Sequence, residues 1–78
     1  MRKYRVRRSK YHTEENKKLF SAYVFEYFST MLNKWCNLKN VDMKDYLKEA
    51  FIYDSSRGFD MKEYHVDFDL ILNRKENN

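Results

Sequence analysis

The chain has 78 residues, of which 42% are hydrophobic, 18% aromatic and 36% charged, with a formal net charge of +4. That length holds one core and no second domain, so residues 1–78 read as a single domain, and so much ring surface excludes a disordered chain. Cys36 is the single cysteine and Gly58 the single glycine, which excludes an intrachain disulfide, a cysteine-built zinc site and a Gly-rich phosphate cradle.

The charge is unevenly placed. Residues 1–39 carry ten Lys or Arg against three acids, whereas residues 40–78 carry six against nine. No apolar run reaches the ~18 residues of a membrane span, and the basic start lacks the apolar stretch of a signal peptide. A cytoplasmic location with a reduced thiol is therefore expected.

Residues 1–11 read as a basic strand or arm. Tyr4 and Val6 alternate with Lys3, Arg5 and Arg7, as on the two sides of an extended strand. Thr13 is placed to cap the next element, with Glu14 and Glu15 in its first turn. That element is expected to be a long helix, because Phe20, Val24, Phe25, Tyr27, Phe28, Met31, Leu32 and Trp35 cover roughly half of a helical wheel, wider than the ~100° stripe one contact needs. Its end is expected within Asn37–Asn40, where Asn tolerates the left-handed conformation.

A second helix is expected from Asp42 as N-cap, stapled by Val41 against Tyr46, with Met43, Tyr46, Leu47, Ala50 and Phe51 on its buried side. It stops at Asp54-Ser55-Ser56-Arg57-Gly58. Beyond this loop Tyr64, Val66, Phe68, Leu70 and Leu72 alternate with polar residues, which favours a strand over the helical spacing that Met61, Tyr64, Phe68, Ile71 and Leu72 also satisfy. Residues 73–78 read as a frayed tail. The two strands carry complementary charges, so Lys3, Arg5 and Arg7 are expected beside His65, Asp67 and Asp69, with Tyr4 and Val6 joining Val66, Phe68 and Leu70 inside.

The expected fold is thus α+β in the order β-α-α-β, one long and one shorter helix packed on a two-stranded sheet; a helical 60–72 would make it an all-α three-helix domain instead. Two strands alone are marginal, so completion by a homodimer or a hetero-complex is expected.

For function, Arg2, Lys3, Arg5, Arg7, Arg8 and Lys10 offer six cations without an acid, and with Tyr4 and Tyr11 they suit phosphates and bases. The same cations also suit an edge strand that must avoid pairing with other chains. Candidate residues for a nucleic-acid or acidic partner are accordingly Arg2, Lys3, Arg5, Arg7, Arg8, Lys10 and Tyr11. The excess apolar width of the long helix points to a protein interface at Phe25, Phe28, Leu32 and Cys36. His12 and His65 stand apart from any ligand cluster, so neither a metal nor another cofactor is expected, and no nucleophile or phosphate-binding motif suggests an enzyme.

The reading is a non-catalytic protein-binding regulatory module, inhibitor- or adaptor-like, acting on a larger macromolecular machine. The alternative is a small nucleic-acid-binding protein using the N-terminal basic segment. In composition alone, being tiny and rich in Lys and Asn, the chain resembles accessory proteins of phages and mobile elements, with no shared motif.

Overall fold

The computed structural model describes residues 2–67, 69 and 70. Its elements run β1 (Arg2–Arg8), a 3-10 turn (Phe20–Ala22), β2 (Tyr23–Ser29), β3 (Lys34–Asn37), α1 (Val41–Ser55) and β4 (Met61–Val66). The strands form one antiparallel sheet in the order β3-β2-β1-β4, and α1 lies on one side of it. The mixed α+β class holds, but the sheet has four strands instead of two, and one helix replaces two.

The difference lies in residues 14–37. The block Tyr23-Val24-Phe25-Glu26-Tyr27-Phe28 is a strand whose apolar residues serve both sides of the sheet. Tyr23 and Phe25 are buried, with Tyr27 packed against them, whereas Val24, Glu26 and Phe28 lie on the opposite side. Rings and β-branched residues suit a pleated surface. The wide apolar arc that looked like an over-buried helix is the projection of a strand with apolar residues on both sides. Before it, Thr13 does cap, but it caps a turn: its hydroxyl accepts from the Asn16 N–H while Asn16 Oδ1 accepts from the Thr13 N–H. The β2–β3 turn uses Asn33 at φ 51°, with Ser29 Oγ accepting from the Leu32 N–H at 3.1 Å. Asn supplies the left-handed residue that glycine would otherwise supply.

The remaining elements lie close to expectation. Met43, Leu47 and Phe51, four residues apart, are the buried stripe of α1. They meet Tyr4, Val6, Tyr23, Phe25, Ala22 and Leu38 in one core. The N-cap is Asn40, whose Oδ1 accepts from the Met43 N–H at 2.9 Å, and the expected cap Asp42 sits in the first turn instead. Val41 is largely exposed, so it does not close the helix start as a buried staple.

β1 and β4 pair antiparallel, with Lys3 opposite His65, Tyr4 opposite Tyr64 and Arg5 opposite Glu63. The expected pairing of the first and last strands is therefore present, but in another register: Arg5 faces Glu63 and Arg7 faces Met61, and Asp67 and Asp69 lie beyond the strand. The strand ends earlier than expected, at Val66. Asp67 accepts from the Asp69 and Leu70 N–H groups and turns the chain, leaving Asp69 and Leu70 helical and Leu70 exposed. Phe68, Leu72 and residues 73–78 lie outside the described residues. The case for a homodimer rested on a two-stranded sheet, and four strands with a helix on one side remove that reason.

The inner ends of the sheet are tied to the helix by polar contacts. Lys62 Nζ and the Tyr64 hydroxyl both donate to Asp54 Oδ2, at 3.0 and 2.8 Å, which joins β4 to the last turns of α1. Arg8 donates from Nη1 to Asp60 Oδ1 at 2.9 Å and from Nη2 to the Ser55 carbonyl at 3.5 Å. A guanidinium against the carbonyls of a helix C-terminus also complements the helix dipole.

Candidate functional site: the outer face of the sheet

The helix covers one side of the sheet, and alternation along each strand determines what the other side presents. From β1 come Lys3, Arg5 and Arg7; from β2 come Val24, Glu26 and Phe28; from β3 comes Trp35, directly opposite Phe28. β4 adds Glu63 and His65 beside Arg5 and Lys3. None of these residues is buried.

The centre of this face is a connected set of contacts. Glu26 Oε1 accepts from Arg5 Nε and Nη2 at 3.1 and 2.8 Å, and from Arg7 Nε at 3.4 Å. Its side chain is 17% exposed, against 22% for Arg5 and 49% for Arg7. Held in this way, the Arg5 guanidinium lies over the indole of Trp35, 4.2 Å from the ring centroid. Trp35 meets Phe28 edge-on, with centroids 5.5 Å apart and planes at 72°. Lys3 Nζ sits 5.2 Å from the Phe28 centroid and 5.9 Å from that of Trp35. Each cation–ring contact adds ~0.5–1 kcal/mol at an exposed site. Together they lay the side chains of Lys3 and Arg5 across the outer face of the sheet.

A groove of about 710 Å³ opens at one end of this face, bordered by Arg2, Lys3, Phe28, Met31, Leu32 and His65. A smaller one of about 420 Å³ lies on the helix side, between the sheet end and the start of α1, and is bordered by Arg2, Tyr4, Tyr27, Leu38, Asn40 and Met43. Burial raises the Tyr4 hydroxyl above its ordinary pKa, with Arg2 pulling the other way. Among the described residues no group of three His, Cys, Asp or Glu side chains is placed to hold a metal ion, and no helix is long and apolar enough to cross a membrane.

The candidates of the basic segment separate by strand side. Lys3, Arg5 and Arg7 come together on the outer face. Arg2 borders both grooves at the sheet end. Arg8 points the other way and ties β1 to Asp60 and Ser55. Lys10 and Tyr11 stand in the loop after β1, with Lys10 Nζ 5.1 Å from the Tyr11 ring centroid.

The four candidates for a protein interface do not form one surface. Phe25 is 4% exposed and belongs to the core. Cys36 pairs with Tyr27 and so lies on the helix side of the sheet. Phe28 is on the outer face, and Leu32 is exposed at the β2–β3 turn beside Met31, which is 92% exposed.

Two residues central to this face, Glu26 and Trp35, escape the sequence reading, because a helical wheel sends Glu26 to solvent and Trp35 to the core. The β-branched and aromatic run from Tyr23 to Phe28 is the only signal for a strand there, and reading it so would have placed Glu26 on the same side as Phe28. No family model matches this sequence, and neither curated proteins nor solved structures yield a match.

Proposed function

We propose that the protein is a non-catalytic binding module of the regulator or adaptor kind, and that the outer sheet face is its contact surface for an acidic macromolecular partner. The observation that carries this reading is the row Lys3, Arg5, Arg7 on a central strand, next to Phe28 and Trp35 on the same side. Arg and aromatic side chains are the residues that dominate binding energy at interfaces. A face of fixed cations around partly exposed rings offers an acidic partner both charge and apolar area.

The test is a titration of isotope-labelled protein with heparin, a generic polyanion, followed by amide and indole resonances. The expected shifts fall on β1, the neighbouring residues of β2 and the Trp35 indole, and weaken as salt is raised. Shifts confined to α1, or none at low salt, would remove the outer face as the contact surface.

A second reading is a protein contact at the β2–β3 turn, supported by the exposure of Met31 and Leu32. Changing both to lysine should abolish recovery of a stoichiometric protein partner from the source cells while leaving heparin binding in place. Retention of that partner by the double variant argues against it.

A further inference from the structure

Taking the outer face as the contact surface, we infer that its partner is a single-stranded nucleic acid, held by Lys3 and Arg7 through its phosphates and by Arg5, Phe28 and Trp35 through its bases. The inference rests on the proposed function for the surface and goes further in naming the polyanion.

Alternate residues of a strand are ~6.7 Å apart, twice the rise per residue, so the three cations of β1 form a straight row along the middle of the sheet. Such a row follows an extended backbone. An acidic protein surface has no requirement to present its carboxylates in a line.

The rings lie to one side of that row, on β2 and β3. A base released from a duplex exposes a flat face that stacks on aromatic rings or on a guanidinium plane, and both are present here. Arg5 is stacked on Trp35 at 4.2 Å and held there by Glu26, so its outer plane extends the platform without the entropy cost of immobilising a free arginine on binding. A duplex conceals its base faces, so it offers these rings no plane to stack on.

Glu26 decides how the strand lies. Its carboxylate is drawn toward Arg5 and Arg7 and faces the same solvent, so phosphates are repelled from the middle of β2 and kept over Lys3 and the more exposed Arg7. Bases are thereby directed to Phe28 and Trp35. The face accordingly has a phosphate side and a base side, the property that separates a strand-binding sheet from a merely basic one.

Trp35 is the chain's single tryptophan, so its fluorescence reports the base side directly. The experiment titrates the full chain with an oligo-dT of about 15 nucleotides, the corresponding dA·dT duplex and poly-glutamate, each at about 50 mM salt and then at rising salt. The expected result is quenching by the single strand and an affinity at least tenfold above that for the duplex. Two phosphate contacts at ~0.7 each predict a slope of log K against log salt of roughly −1.4. Replacing Lys3, Arg5 and Arg7 together by glutamine should flatten that slope to near zero. Phe28→Ala should weaken binding by about fivefold or more at an unchanged slope, since one stacked base contributes ~1–3 kcal/mol. Equal or tighter binding of the duplex, or tighter binding of poly-glutamate, overturns the inference while leaving the proposed surface in place. Failure of heparin and all three probes overturns both.

Discussion

Replacing Glu26 by glutamine is expected to lower the stability of the fold and to raise its affinity for a single strand. The carboxylate accepts three charge-assisted hydrogen bonds, two from Arg5 and one longer one from Arg7, at a position 17% exposed. Glutamine keeps an acceptor near Arg5 but removes the charge, so the loss lies above the ~0.2–1 kcal/mol of a fully exposed pair and below the ~3–5 kcal/mol of a buried one, at about 1–2 kcal/mol. Binding moves the other way. A phosphate held on the outer side of Arg7 lies roughly 7 Å from the Glu26 carboxylate, where repulsion at an effective dielectric of ~20 is about 2.4 kcal/mol. Screening at physiological salt leaves about 1 kcal/mol, or a factor of about five in affinity. Urea denaturation measures the first effect and Trp35 quenching by oligo-dT the second. If the variant is destabilised and binds more weakly, Glu26 serves to hold Arg5 over Trp35 more than to repel phosphate, and the two-sided account of the face fails.

Four further predictions concern the fold. Phe51 is fully buried and meets Tyr23 edge-on at 5.6 Å, so Phe51→Ala should cost about 3–5 kcal/mol by urea denaturation and leave little folded protein at 37 °C; a loss under 1 kcal/mol would mean that α1 is not packed on the sheet. Gly58 stands at φ 99° with open space where a Cβ would go, so Gly58→Ala should destabilise by ~1–2 kcal/mol through backbone strain alone, and a neutral result would show that the loop relaxes. Lys62 first, and then Tyr64, holds the Asp54 carboxyl below its ordinary value of 3.8. That contribution is present above 3.8 and is lost as pH falls through the lowered folded-state value, so wild type should lose more stability between about pH 6 and about pH 3 than Asp54→Asn does. At the alkaline end, burial first and then Asp54 raise the Tyr64 hydroxyl above 10.0, so the unfolded chain ionises first and stability should fall above that pH, less steeply in Tyr64→Phe.

Much of the sheet was readable residue by residue, and the part that was not has a definite cause. β1 was legible because cations interrupt Tyr4 and Val6 at every second position, and β4 only in part, because the alternation starting at Tyr64 marks the end of Met61–Val66 and not its beginning. α1 was legible because Met43, Leu47 and Phe51 recur at four with charges between them. Residues 20–35 resisted because Tyr23–Phe28 is apolar at every position but Glu26, which leaves that one charge in the block to distinguish a period of 2 from a period of 3.6. The chain also hides its turns. With no proline and a single glycine, few long elements are the natural expectation, yet Ser29 and Asn33 close the β2–β3 turn with a hydroxyl and a left-handed asparagine. The basic row of β1 was visible as charge; that Glu26 holds it and Trp35 underlies it depends on which strands are neighbours, and only the sheet order determines that.

That order also bears on how the molecule is made. Of these four strands β1 is synthesised before the others, yet it lies between β2 and β4, the one that follows the other three. During translation β1, β2, β3 and α1 leave the ribosome while one side of β1 still presents unpaired N–H and C=O groups, and that edge closes only when Met61–Val66 emerges. Closure across so long a stretch of chain is slow relative to hairpin formation. In that interval Lys3, Arg5 and Arg7 keep neighbouring nascent chains apart by repulsion. The cations of the outer face thus also guard the edge of the unfinished sheet.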